Sequence, residues 1–282
     1  MPDGFFTAAD GVRLYWRSIG DGPVVVIPNG LYFLDDLTPL AERWTLLAYD
    51  PRNRGRSDAA EDPAALGIEQ DVRDLETVRM ALDLERVITI GHSYAGFLVG
   101  LHAVRHPQHV ERLVMLGPTG PFPRREQPPE LRWDDEVGPA IFARLGELQR
   151  ELAEADPQLR CERFWEVLTP FYLADPTHAA RIHWGRCDLP TERAALRYWN
   201  AVMLPSIQRV ELTAGDAAAV TAPTLVVHGR RDRAAPFGGG ADWAALLPQG
   251  SLLTVDEAGH APWIEAPGIV LPAIDRFLAG SR

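Results

Sequence analysis

Val87-Ile88-Thr89-Ile90-Gly91-His92-Ser93-Tyr94-Ala95-Gly96 reads as a short apolar strand that turns at once into a helix, with a serine at the corner. The helical pattern continues from Tyr94 to Arg105. A serine on such a turn projects its hydroxyl above the edge of a sheet. The chain comes close to itself there, so the residues two before and two after must be small, as Gly91 and Ala95 are. Small-x-Ser-x-small is common by itself; its position between strand and helix is what gives it weight.

Working outward, Val24 to Ile27 is a run of β-branched residues with no polar alternation, as expected of a strand buried on both faces. Similar runs occur at Trp44 to Tyr49, Val110 to Leu116 and Thr224 to Val227, with a weaker one at Ser251 to Val255. Asp10-Gly11 between Phe5 to Ala8 and Val12 to Ile19 predicts an N-terminal hairpin. Gln70 to Leu84 places Val72, Leu75, Val78 and Leu82 at helical spacing. Gly268 to Ala279 reads as a last helix with Pro272 in its first turn. Strands alternating with helices predict an α/β fold with a mostly parallel central sheet covered by helices on both faces.

From about Pro118 to Ala214 the alternation stops. Ile141, Leu145, Leu148 and Leu152 make one helical stripe, and Phe164, Trp165, Leu168, Phe171 and Tyr172 a second. Tyr198, Trp199, Val202 and Met203 make a third. The expected organisation is a core of 1–117 and 215–282 interrupted by an all-helical cap, 118–214. Arg144 with Glu147 and Arg150 with Glu154 are spaced to pair on a solvated helix face.

The formal charge of −11 argues against a nucleic-acid partner and against recruitment to an anionic membrane. No apolar run approaches a bilayer span, and the N-terminus lacks a signal-peptide pattern, so a cytoplasmic location is expected. Cys161 and Cys187 fit a reducing compartment; burial or chance is the favoured reading and a disulfide the minority one. No cysteine or histidine spacing predicts a metal. The expected partner is a small-molecule acyl substrate, bound by a monomer or homodimer.

Two further motifs join the serine. Thr224 to Val227 leads through His228-Gly229-Arg230-Arg231 to Asp232, which the strand end delivers to the carboxyl edge of the sheet, where α/β sheets bind ligands. Ala258-Gly259-His260-Ala261-Pro262-Trp263 places His260 in a loop between the last strand and the last helix. The order Ser93, Asp232, His260 is the serine–acid–histidine order of α/β-hydrolases, and the chain resembles an α/β-hydrolase with a helical cap. Asp50-Pro51-Arg52-Asn53-Arg54-Gly55-Arg56-Ser57 resembles that family's Asp-x-Arg-Gly-x-Gly-x-Ser loop, with Asn53 in place of the first glycine. The segment His106-Pro107 through Val110 to Val114 resembles the strand after the nucleophile helix, while the cap escapes the match.

The resemblance implies Ser93 as nucleophile, His260 as general base and Asp232 as the carboxylate that orients it. It implies an oxyanion hole from the backbone N–H groups of Leu31 and Tyr94, with Asn29 where the family usually has histidine. It implies no cofactor. A serine also excludes the epoxide hydrolases and haloalkane dehalogenases of this fold, which use aspartate. Asn29, Tyr32, Phe33, Trp165, Tyr172, Trp199 and Trp263 are the candidate pocket residues. A small carboxylic ester or lactone is the expected substrate. A prolyl-type aminopeptidase, whose amine site Asp134, Asp135, Glu136, Glu147, Glu151 or Glu154 could supply, ranks second. A non-catalytic ligand-binding relative is the reading from another class.

Overall fold

The computed structural model describes residues 1–60, 62–193 and 195–280. β1 (Asp3–Thr7) and β2 (Arg13–Ile19) form the hairpin, with Thr7 opposite Arg13. Then come β3 (Val24–Pro28), β4 (Thr45–Tyr49), β5 (Val87–His92), β6 (Val110–Leu116), β7 (Thr224–Gly229) and β8 (Gly250–Val255). The sheet order is β1-β2-β4-β3-β5-β6-β7-β8. β1–β2 and β2–β4 pair antiparallel and the other pairs are parallel.

Period-two alternation sends each apolar run to both faces. Val26, Leu113, Met115 and Val226 enter one core cluster, while Val25, Ile27, Val114, Leu116, Leu225 and Val227 enter the other. The first cluster is covered by α1 (Ile68–Ala81) and α2 (Tyr94–Arg105), through Val72, Leu75, Val78, Phe97 and Leu101. Arg52 is fully buried and holds the loop after β4 in place. Its guanidinium donates to Asp74 of α1 at 2.7 and 2.6 Å and to Asp10 of the hairpin at 2.7 Å. Asn53 takes φ 60°, a left-handed conformation that asparagine tolerates better than most residues, so it can replace glycine there.

Between β6 and β7 the described residues contain no strand. They form α3 (Val137–Glu151), α4 (Pro157–Leu168), α5 (Pro190–Arg193), α6 (Ala195–Tyr198), α7 (Leu204–Gln208) and α8 (Ala214–Ala217), joined by 3-10 turns. The third stripe is broken by a π-helical turn at Trp199–Met203. On α3, Arg144 takes both Glu147 (3.1 Å) and Glu151 (2.8 Å), and the expected Arg150–Glu154 pair does not form. Glu154 lies three residues beyond the end of α3, so the helical spacing that would align it is lost. Among the described residues no helix is long and apolar enough to cross a membrane.

Three expectations need correction. Cys161 on α4 and Cys187 before α5 form a disulfide, Cα atoms 5.7 Å apart, where burial of free thiols was favoured. Spacing alone could not show that two buried cysteines meet across the insertion. Second, Pro272 is the sixth residue of the last helix, α11 (Pro267–Leu278), not in its first turn, because Pro267 occupies that turn. Lacking an N–H, Pro272 leaves the carbonyl of Gly268, four residues before it, without its intrahelical donor. Third, α9 (Phe237–Leu246) carries Gly238-Gly239-Gly240 and had no helical pattern to announce it, and α10 (Pro262–Glu265) adds one turn after the His260 loop.

The disulfide closes a loop 26 residues apart in sequence. The chain-entropy relation for a loop of that size predicts about 3–4 kcal/mol of stabilisation. Cys161→Ser with Cys187→Ser, or added reductant, should therefore lower the urea midpoint of the wild type. Coincident unfolding curves with and without reductant would contradict this.

Candidate active site

The chain reverses sharply at Ser93, which takes φ 57° and ψ −121°. Such a conformation is strained for a residue with a Cβ and persists only where the surroundings enforce it. Here Ser93 N donates to Leu116 O at the end of β6 (3.0 Å), and Ser93 O accepts from Thr119 N (3.1 Å) and Phe97 N (3.2 Å). A Cβ at Gly91 would lie 2.2 Å from the Ala95 carbonyl oxygen, which is why that position must be small. The serine side chain is left partly exposed at the carboxyl end of β5, while its neighbours are buried.

β7 and the loop after β8 bring Asp232 and His260 to the same edge. His260 Nδ1–H donates to Asp232 Oδ2 at 2.7 Å, both residues being almost completely buried. Among the described residues that is the one hydrogen bond of the His260 ring, which leaves Nε2 without a partner. Asp232 accepts three more: the N–H groups of Ala234 and Ala235 on Oδ1, each at 2.8 Å, and His228 Nε2–H on Oδ2 at 3.1 Å. Burial penalises the Asp232 anion, but the His260 charge and the bonds from His228 and His260 outweigh it, holding the carboxyl far below the usual range. His228 also donates to Ala235 O at 2.9 Å, which fixes the turn that carries Asp232.

The loop after β3 lies beside this pair. Asn29 takes φ 51°, which accounts for asparagine at that position. Gly30 N donates to Ile27 O (3.2 Å) and Phe33 N to Gly30 O (3.1 Å), whereas Leu31 N has no backbone acceptor. Tyr94 is the first residue of α2, so its N–H also lacks an intrahelical acceptor. Both free N–H groups stand at the carboxyl edge on either side of the β3–β5 boundary.

His92 ties the two loops together. The Tyr32 hydroxyl donates to His92 Nδ1, and His92 Nε2–H donates to the His260 carbonyl at 3.1 Å. Burial pushes the His92 imidazole well below its usual pKa, so it is neutral, in agreement with one donor and one acceptor nitrogen. Phe33 and Trp263 pack behind it, with ring centroids 5.7 and 4.7 Å from His92. Tyr172 stacks on His260 at 5.5 Å, Trp165 lies 6.3 Å beyond Tyr172, and Trp199 meets Tyr94 at 5.9 Å. Burial and the Asp232 charge push the Tyr172 phenol up to about 12. Trp184, another aromatic of the insertion, touches Tyr32, His92 and Tyr172.

No role for His92, His228 or Gly117 follows from the sequence alone. The first two sit inside the motifs quoted above, so their position was a usable signal. Gly117 follows β6 with φ 46°, and a Cβ there would lie 3.2 Å from both Asp232 Oδ2 and His260 Nδ1. Gly117→Ala should cost about 1–2 kcal/mol for the left-handed backbone. By displacing the Asp232–His260 pair it should lower kcat by about a hundredfold. Wild-type kcat in the folded variant would refute this.

Residues 23–267 match the family model of the α/β hydrolase fold. The chain is 28% identical over 268 residues to a pimeloyl-[acyl-carrier protein] methyl ester esterase of Stenotrophomonas maltophilia, covering 93% of this chain and 95% of that protein. It is 25% identical over 276 residues to a proline iminopeptidase of Heyndrickxia coagulans, covering 92% and 91%. Among solved structures, an esterase from Exiguobacterium antarcticum superposes with a TM-score of 0.72 at 19% identity, covering 98% of both chains. At that identity the likeness speaks for the fold alone.

Proposed function

As the chain belongs to the α/β hydrolase fold family, we propose that it is a serine hydrolase that cleaves a small carboxylic ester or lactone through an acyl-enzyme. The observation that carries this reading is the strained Ser93 corner beside the Asp232–His260 pair at 2.7 Å. A serine hydroxyl is a poor nucleophile at neutral pH, so His260 Nε2 takes its proton as Oγ attacks the carbonyl. Asp232 keeps the imidazole proton on Nδ1 and stabilises the imidazolium that forms. The Leu31 and Tyr94 N–H groups receive the oxyanion, each contributing about 2.7–4 kcal/mol by analogy with measured holes. His260 then protonates the leaving alcohol, and a water activated by the same base releases the acid. Tyr32, Tyr172, Trp165, Trp199 and Trp184 supply an aromatic wall for the acyl or alcohol group, with Phe33 and Trp263 supporting it from behind, and the helical insertion forms the lid.

The acidic residues of the insertion favour an ester over an amine-bearing peptide. Asp135 is bound to Arg233 and the Trp133 indole, Glu147 and Glu151 to Arg144, and Asp134 to Arg132. Glu136 and Glu154 lie on exposed surface. None of the carboxylates suggested for an amine is both unpaired and buried near Ser93.

The test has two stages. The folded protein should react covalently with a fluorophosphonate probe, and lack of labelling would refute the serine-hydrolase reading as a whole. A panel of p-nitrophenyl esters, lactones and proline arylamides then fixes the substrate class. Turnover of the arylamide alone would replace the ester reading with the aminopeptidase one.

A further inference from the structure

Glu76, His102, His106 and His109 cluster at the far end of α2, and nothing in the hydrolytic site uses them. His102 and His106 come from the last turn of α2 and its cap, His109 from the 3-10 turn Pro107–His109, and Glu76 from α1. His102 Nε2–H donates to Glu76 Oε1 at 2.6 Å, and His109 Nδ1 lies 2.8 Å from Glu76 Oε2. The His106 and His109 rings stack at 5.7 Å, 5° from parallel. One ligand atom from each of Glu76, His106 and His109 lies within 4.8 Å of the other two.

We propose that Glu76, His106 and His109 bind a divalent transition-metal ion of the zinc type, with His102 and Gln108 orienting the ligands. Two imidazole nitrogens and a carboxylate oxygen suit zinc, whereas Mg²⁺ and Ca²⁺ prefer all-oxygen shells. Zinc–ligand bonds of about 2.0–2.2 Å put tetrahedral ligand atoms about 3.4 Å apart, so the widest separation must close by up to about 1.4 Å while the 2.8 Å His109–Glu76 contact opens slightly. Glu76, His106 and His109 are all partly exposed, which leaves their side chains room to turn. A solvent molecule would complete the coordination.

The surrounding bonds have the form of a metal's outer shell. His102 engages Oε1, so Oε2 is the oxygen directed at the ion. When His109 Nδ1 becomes a ligand, its proton must sit on Nε2. Gln108 lies 3.4 Å from that nitrogen and can accept the proton by turning its amide. Arg79 donates to Glu76 Oε2 at 2.9 Å and is itself anchored on Leu84 O at 2.6 Å. Its charge opposes the cation, and it is the main limit on affinity. α2 has 12 residues, which puts the cluster about 18 Å from Ser93. The ion would therefore pin α1 to the start of β6 and take no part in hydrolysis.

Chelator-treated full-length protein should bind one Zn²⁺ per chain by titration calorimetry, with a Kd below about 10 μM. Its thermal midpoint should rise with Zn²⁺ and not with Mg²⁺. His106→Gln combined with His109→Gln should weaken binding at least about a hundredfold, since loss of outer-shell partners alone costs 10–100-fold. The fluorophosphonate labelling should not change, and the zinc-dependent rise in midpoint should disappear. His109→Asn alone should weaken binding in the same direction. Absence of saturable zinc binding by the wild type overturns the proposal, and so does undiminished binding by the folded double variant.

Discussion

Ser93→Ala should lower turnover by about 10⁴–10⁶-fold and abolish covalent labelling, with nearly unchanged stability. The size follows from removing the one atom that forms the acyl bond, after which only the N–H groups of Leu31 and Tyr94 and the binding surface remain to assist water. The fold should tolerate the change because the corner is held by backbone bonds to Leu116, Phe97 and Thr119, none of which involves Oγ. Alanine also bears the same left-handed strain as serine at φ 57°. The check is kcat on the best ester from the panel, together with the thermal midpoint of each protein. A folded variant that keeps more than about 1% of wild-type turnover would remove Ser93 from the mechanism.

Asp232→Asn should be nearly as damaging to catalysis, with a fall in kcat of about 10⁴-fold, and should also destabilise the protein. Every partner of the carboxylate is a donor: two backbone N–H groups, His228 Nε2–H and His260 Nδ1–H. An amide turned either way points N–H groups at one pair of them. If its nitrogen faces His260, the imidazole must move its proton to Nε2 and can no longer accept one from Ser93. The buried mismatch should cost about 1–3 kcal/mol.

The same substitution changes acid stability. Asp232 titrates lower when folded than when unfolded, so its contribution is fully present above the unfolded value of about 3.9 and is lost as pH falls toward the depressed folded value. The stability gap between wild type and Asp232→Asn should therefore narrow below about pH 4. A gap that stays constant from pH 7 to pH 3 would show that the carboxylate is not held ionised by its neighbours.

What could be read from the chain, and what could not, divides along sequence distance. Ser93, Asp232 and His260 were legible because each is set by its own strand end and turn, so a local pattern carries its position. The parallel sheet was legible for a similar reason, since each strand buried on both faces is apolar throughout. α9 was not, because three successive glycines have low helix propensity. Tertiary packing overrides that: a Cβ at Gly240 would lie 2.2 Å from His228 Nδ1, and one at Gly239 2.9 Å from Gly120. Gly117, the His92 link and the Cys161–Cys187 bond depend on partners distant in the chain, and a single sequence does not state them. Asn29 and Asn53 were noticed as departures from a pattern, but only their positive φ values explain why asparagine was tolerated.

The backbone N–H of His260 donates to Tyr172 O at 2.8 Å, and Arg233 Nη1 donates to Leu173 O at 2.5 Å. Glu265, just beyond the histidine loop, accepts from Gly259 N at 2.6 Å and from Asp175 N at 3.0 Å. The helical insertion thus supplies part of the scaffolding on which His260 stands. For anyone engineering new specificity, this makes the region a poor cassette. Grafting a foreign insertion onto this core would remove the Tyr172 carbonyl that holds His260 N–H and the Asp175 N–H that holds Glu265, so a chimera should keep Tyr172 to Asp175 to keep the His260 loop in place. The edge near Tyr172 therefore cannot swing away without carrying His260 with it.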